Sequence, residues 1–223
     1  MSRIVAGPFN RVEGDLEITL ETGEDKVQRA EVNSPLYRGF ERILLGHKPM
    51  DALVYTPRIC GICSVTQSVA SARALADAMG LSMPKNGELC TNLVLASENI
   101  TDLITHFYLF FMPDFARDTY AGASWFGDIQ GRFKATAGSA STQMLPARAD
   151  FLHLMGLMAG KWPHTLSLQP GGVAKAIEPK ERMRLLAIVA GFKRFLESTL
   201  FGDSLTTISQ LKSEAELWQW YQQ

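Results

Sequence analysis

Glu88 to Met112 is the stretch that most restricts the fold. Leu89, Leu93, Ala96, Ile100, Leu103, Ile104, Phe107, Tyr108 and Phe111 recur at helical spacing and leave little of the helix surface polar. A helix that is apolar on nearly every side is expected in a core, wrapped by other elements. Glu98, Asp102 and His106 interrupt it too often for a membrane span, and no run of about 18 apolar residues occurs anywhere. Pro113 should end it, because proline lacks the N–H that continues a helix. A chain of 223 residues, 46% of them hydrophobic, is long enough to build the core this helix requires.

The wrapping elements are readable on either side. Residues 3–34 read as β. Leu16, Ile18 and Leu20 alternate with Glu17, Thr19 and Glu21, and Thr22-Gly23-Glu24-Asp25 has turn chemistry. Val27 to Val32 then returns as the second arm of a hairpin. A short helix is expected from about Arg38 to Leu45, with Gly46 as its C-cap. Val65, Val69, Ala72, Ala76 and Met79 mark another helix, opened by Ser64 or Thr66 as a cap and closed at Gly80. Residues 113–146 show little periodicity and read as a long irregular excursion. Helices resume at about Ala147 to Ala159, at Glu178 to Phe201 with Gly202 past the end, and near Ser213, where Ser213-Glu214-Ala215-Glu216 has capping-box spacing. The expected fold class is α+β, mainly α. A small N-terminal sheet (1–34) is followed by a bundle of long core helices (35–223) in a single domain. Trp218, Trp220 and Tyr221 sit in the last six residues. They read as core for something else, so the chain is expected to be the N-terminal part of a longer subunit.

Charge and leader sequence narrow the setting. With 22 basic and 23 acidic residues the net charge is −1, which gives no reason to expect nucleic acid or an anionic membrane as partner. The first residues lack the apolar core of a signal peptide, so a cytoplasmic setting is expected.

The chemistry concentrates in Thr56-Pro57-Arg58-Ile59-Cys60-Gly61-Ile62-Cys63-Ser64. Two of the three cysteines lie three residues apart at the mouth of a helix, and soft thiolates suit zinc, nickel or iron. The positive end of the helix should favour the thiolate form. A structural zinc site needs four ligands, and only Cys90 and four scattered histidines remain. A redox pair of the thioredoxin kind should follow a strand, whereas the surroundings here are helical. Cys90, with no motif around it, reads as a small buried thiol.

Arg58-Ile59-Cys60-Gly61-Ile62-Cys63 resembles the N-terminal metal motif of [NiFe]-hydrogenase large subunits. Arg11-Val12-Glu13-Gly14, Arg38-Gly39-Phe40-Glu41 and Pro170-Gly171-Gly172-Val173 resemble that family's other motifs, in the same order. The hydrogen-sensing subclass is the nearest resemblance and the uptake enzymes come next. The resemblance implies that Cys60 is a terminal nickel ligand and that Cys63 bridges nickel to an iron carrying CO and cyanide. It implies that Glu13 begins the proton route and that Glu41 helps bind magnesium or a similar hard ion, where a surface carboxylate is the plainer reading of each. Arg58 and Gln67 become neighbours of the metal site. Gln67 stands where many relatives carry histidine; an amide still donates a hydrogen bond but cannot become a cation. Ile62 and Phe110 become bulky residues along a gas channel, against the plainer reading of core packing. His164, in a Trp-Pro-His stretch, falls in a region the family places near its electron-transfer subunit.

The implied function is heterolytic cleavage or sensing of H2, with electrons passed to iron–sulfur clusters in a separate small subunit. In a sensor the signal would go on to a histidine kinase. An uptake hydrogenase feeding a respiratory chain is one rival. A metal-free scaffold related to the large subunits of respiratory complex I is another, and a zinc-stabilised interaction module a third. The family's nickel takes four thiolates, and three cysteines cannot supply them, so a C-terminal cysteine pair is expected to come from elsewhere.

Overall fold

A computed structural model describes residues 2–9 and 15–222. They form two compact units, one within residues 1–45 and one within 46–223.

The first unit is an antiparallel sheet in the order β1-β2-β3, from Ser2–Phe9, Leu16–Gly23 and Lys26–Asn33. Ile4 faces Leu20 and Ile18 faces Val32 across the ladders. Glu24 and Asp25 turn the hairpin with φ of 53° and 57°, the left-handed pair that matches strand twist in a tight turn. The central strand is half-buried along its whole length rather than on alternate residues. The segment after the sheet departs from expectation. Residues 39–46 are successive turns, closed by Arg42 N–H to Gly39 O and Leu45 N–H to Arg42 O, both 3.0 Å. No helix forms from Arg38 to Leu45. The bonds stop at single turns, which fits the cost of nucleating a helix in so short a segment.

The second unit is helical. Its helices are α1 (Ala52–Tyr55), α2 (Ser64–Ala78), α3 (Lys85–His106), α4 (Met112–Phe115), α5 (Phe126–Phe133), α6 (Ala140–Ala159), α7 (Pro179–Phe195), α8 (Leu205–Gln210) and α9 (Glu214–Tyr221). Between α6 and α7 lies a two-residue hairpin, β4 (Leu168–Gln169) with β5 (Gly172–Val173). The core gathers Val65 and Val69 of α2, Val94 and Ile104 of α3, Met144, Phe151, Leu154 and Met155 of α6, and Phe192 of α7.

Three expectations change here. The long apolar helix does not stop at Pro113. After α3 the chain takes a π-helical turn over Phe107–Phe111, where Met112 N–H reaches back five residues to Phe107 O, and continues as α4 with Pro113 in its first turn. Proline is tolerated there because first-turn N–H groups have no intrahelical partner. Nor is α3 apolar inwards: its buried residues are Thr91, Val94, Ser97, Glu98, Thr101 and Ile104, while Leu89, Leu93, Ile100 and Leu103 are exposed. The stretch 113–146 is not irregular throughout, since α5 lies within it. Helix α6 starts at Ala140 and carries Pro146 inside it. Ala140 and Met144, both fully buried, anchor that extra turn against proline's preference.

The Pro170-Gly171-Gly172-Val173 motif has a packing reason. Gly172, at φ 141°, lies against the first turn of α3, and a Cβ built on it would sit 2.9 Å from Gly87 Cα. Two backbones meet there without side chains between them. Among the described residues no helix is long and apolar enough to cross a membrane.

Candidate metal centre

Pro57 to Cys63 forms a short, well-tied approach to α2. A 3-10 turn over Thr56–Arg58 ends with Ile59 N–H on Thr56 O at 3.1 Å. Thr56 Oγ1 lies 2.9 Å from Ala52 O and 3.0 Å from Ser71 Oγ, joining this turn to α1 and to the middle of α2. Arg58 is exposed, and its guanidinium donates back to Val54 O. Cys63 occupies the N-cap position of α2, and Gln67 N–H closes the first helical turn on Cys63 O at 3.1 Å.

The two sulfurs converge. Cys60 and Cys63 have Cα atoms 5.4 Å apart and are joined as a disulfide. Two donors approach the sulfurs: Cys63 N–H lies 3.3 Å from Cys60 Sγ and Gln67 Nε2 4.0 Å from Cys63 Sγ. Once reduced, this is a two-thiolate half-site of the kind a soft metal accepts. Among the described residues no group of three or more His, Cys, Asp and Glu side chains could hold a metal. The pair therefore fits part of a nickel–iron ligand set and does not complete one.

The turn is braced from behind by residues the sequence did not single out. Glu98, in the middle of α3 and only 2% exposed, aims its carboxylate at the first turn of α2. Oε1 accepts from Val65 N–H at 2.8 Å, Trp162 Nε1–H at 3.0 Å and Ser64 Oγ at 3.4 Å. Oε2 accepts from Thr66 N–H at 2.9 Å and Thr66 Oγ1 at 3.2 Å. The expected caps, Ser64 and Thr66, thus lie inside the first turn and donate to Glu98 instead. This also changes the electrostatics. The helix end offers roughly half a positive charge, which the carboxylate outweighs. The N-terminus is not the free positive end that spacing alone suggested.

The Trp-Pro-His stretch closes the other side. His164 N–H donates to Ser64 Oγ at 3.2 Å, and His164 Nδ1 lies 3.0 Å from Pro57 O. A φ of 62° places this residue in the left-handed region, an unfavourable conformation for a histidine held here by bonds on both sides. Thr165, fully buried, ties the stretch to the end of α6 through Ala159 O at 2.6 Å. Arg148 lies over the Trp162 ring at 5.3 Å, so the indole that reaches Glu98 is held on its face as well.

The structure thus brings Cys60, Cys63, Gln67 and His164 together. Glu13 lies outside the described residues. Glu41 is exposed and belongs to the first unit. Ile62 is 51% exposed and Phe110 37%. Cys90 is half-buried in α3 against the core. A signal for Glu98 was present as a charged residue inside an otherwise apolar helix; its partners lie 32 to 64 residues away and leave no local pattern.

Residues 38–122 match the nickel-dependent hydrogenase family. The chain is 30% identical over 187 residues to the periplasmic [NiFeSe] hydrogenase large subunit of Desulfomicrobium baculatum, covering 78% of this chain and 36% of that one. It is 36% identical over 107 residues to the uptake hydrogenase large subunit of Bradyrhizobium diazoefficiens, covering 48% of this chain and 18% of that one. Its fold superposes on the reduced Ni-Fe-Se hydrogenase of D. vulgaris Hildenborough with a TM-score of 0.71 at 28% identity, covering 90% of this chain and 43% of the other. The chain spans less than half the length of the relatives it matches. Over the length it has, it is similar in sequence and fold to the large subunits of nickel-dependent hydrogenases.

Proposed function

We propose that this chain supplies the first two thiolates of a nickel–iron centre in a hydrogenase large subunit acting on H2. The observation that carries the reading is the Cys60–Cys63 turn, whose two sulfurs meet at the mouth of α2 and face the Cys63 N–H and the Gln67 amide as donors. Cys60 would hold nickel as a terminal ligand, and Cys63 would serve both nickel and an iron carrying CO and cyanide. When bound, the metal pair supplies heterolytic cleavage of hydrogen. This chain's own work is to hold the sulfurs, to offer the Gln67 amide towards Cys63, and to take a proton away through Glu13. A neutral amide orients and donates but carries no proton onward, which leaves relay to the carboxylate. Glu41 contributes to a magnesium or similar hard-ion site, for which carboxylate oxygen is suited. Two further thiolates come from a C-terminal cysteine pair, in the same subunit or another chain.

A small subunit with iron–sulfur clusters receives the electrons, giving a heterodimer. We read the subunit as hydrogen-sensing and cytoplasmic, signalling to a histidine kinase; Gln67, Ile62 and Phe110 support this, with bulky residues at the gas channel slowing oxygen more than hydrogen. A second reading, an uptake enzyme feeding a respiratory chain, is favoured by the Bradyrhizobium relative, and the Desulfomicrobium relative is named as periplasmic.

Infrared spectroscopy of the complex isolated from its source through this chain tests the proposal. Iron-bound CO and cyanide bands that shift under hydrogen are expected. Their absence together with absence of nickel would leave a metal-free scaffold, and zinc in their place would make the cysteines a structural pair.

A further inference from the structure

Helix α2 begins in an unusual way. Its N-cap residue is Cys63, whose side chain makes no cap bond. An N-cap normally turns a side-chain oxygen back onto the N–H groups of the next two or three residues. If Cys63 is a metal ligand, its side chain must face away from those groups, and no local residue can do both tasks. The structure meets this with a carboxylate from another helix.

We propose that Glu98 is a positioning residue for the metal pair: it caps α2 in place of Cys63 and so fixes the direction in which Cys60 and Cys63 present their sulfurs. The inference rests on the reading of the two cysteines as nickel ligands. Every group on the carboxylate is a donor, and a carboxylate is an acceptor at both oxygens. Those donors come from two separate places, the first turn of α2 and the indole of Trp162. The second place carries on to His164, whose backbone N–H reaches Ser64 Oγ and whose ring reaches Pro57 O. One buried carboxylate thereby ties the residues that follow Cys63 to a segment that also grips the residue three before Cys60. A frame closed on both sides leaves the two sulfurs little freedom to separate or rotate. Bonds to a charged acceptor are the stronger kind, which suits a brace that must resist displacement when metal binds.

Glu98→Gln tests this, because it keeps shape and volume but turns one acceptor oxygen into a donor facing donors. Two readouts on the full chain separate the claims. Hydrogen–deuterium exchange needs no metal: the amides of Val65 and Thr66 should exchange at least tenfold faster in Glu98→Gln than in the parent. Nickel(II) titration of the reduced chain, followed at the thiolate-to-nickel absorption, should show at least tenfold weaker binding and a shifted band. Glu88→Gln, exposed in the first turn of the same helix, should change neither. Circular dichroism checks that each variant folds. Trp162→Phe removes one donor and leaves the carboxylate, and should weaken nickel about threefold; it carries the test if Glu98→Gln does not fold. Parental exchange rates, or nickel affinity within twofold and an unchanged band in the folded variants, would overturn the proposal. A parent chain that binds no nickel, with exchange accelerated as expected, would instead overturn the metal reading and confine Glu98 to bracing the fold.

Discussion

Helices α2 and α9 both need their first N–H groups satisfied, and they solve the problem at different distances. In α9 the answer is local. Ser213 Oγ accepts from Glu216 N–H at 3.3 Å, and Glu216 returns a bond to Ser213 N–H at 3.2 Å. In α2 the N-cap is a cysteine and the acceptor is Glu98, 32 and 33 residues further along the chain. A helix whose cap position is free for ordinary chemistry takes its cap from its own sequence. A helix whose cap position is reserved for another task must import one.

The strongest way to break this comparison is Cys63→Ser. Serine is a good N-cap and would give α2 the local acceptor it lacks. The variant should fold and melt no lower than the parent, yet the complex purified through it should contain only background nickel. Normal nickel content by elemental analysis would mean that Cys63 is not reserved for metal, and the reason for a remote cap would disappear.

Removing the imported cap should cost more than removing the local one. Glu98→Leu leaves two backbone donors and an indole N–H facing a hydrocarbon, and each buried unsatisfied donor costs about 1–3 kcal/mol. Urea unfolding should show a loss of about 3 kcal/mol or more. Ser213→Ala removes one exposed cap worth about 1 kcal/mol, and exchange should quicken in the first turn of α9 alone. Equal losses for the two would show that distance and burial do not separate these helix starts.

The same contrast explains what was legible in the sequence. The Ser213 cap, the Gly80 and Gly202 helix ends and the Glu24–Asp25 turn depend on residues next to one another, and spacing identified them. The Cys60–Cys63 turn was legible for the same reason. Glu98 was legible only as an oddity, a charge in an apolar helix, because its partners are distant in the chain. Its neighbours on the buried side, Ser97 and Thr101, bond to carbonyls of their own helix at 2.7 and 2.8 Å. Such self-satisfied hydroxyls let a polar face pack inwards, and so α3 could not be oriented from hydrophobicity. Pro113 misled for a related reason: whether a proline ends a helix depends on where in its turn it falls and what its neighbours bury.

The smallest effect sharpens the comparison at α9, where a second carboxylate acts on the body of the helix rather than its cap. Asp203 accepts from the backbone N–H of Ser204 and, through its other oxygen, from Trp220 Nε1–H at 3.0 Å. These bonds, the Ser204 one foremost, hold the Asp203 carboxyl below its ordinary value. A folded value lower than the unfolded one gives stability that is present above the ordinary carboxylate range and lost as pH falls through the folded value. Trp220 fluorescence should therefore hold steady through mildly acid pH and change only below that range, with a small amplitude because Asp203 is only half-buried. Asp203→Asn keeps an acceptor for the indole without the charge, and should remove the transition while leaving the neutral-pH emission near that of the parent. A transition that persists in Asp203→Asn would remove Asp203 as its cause and leave its bond to the Trp220 indole a contact without a part in the acid response.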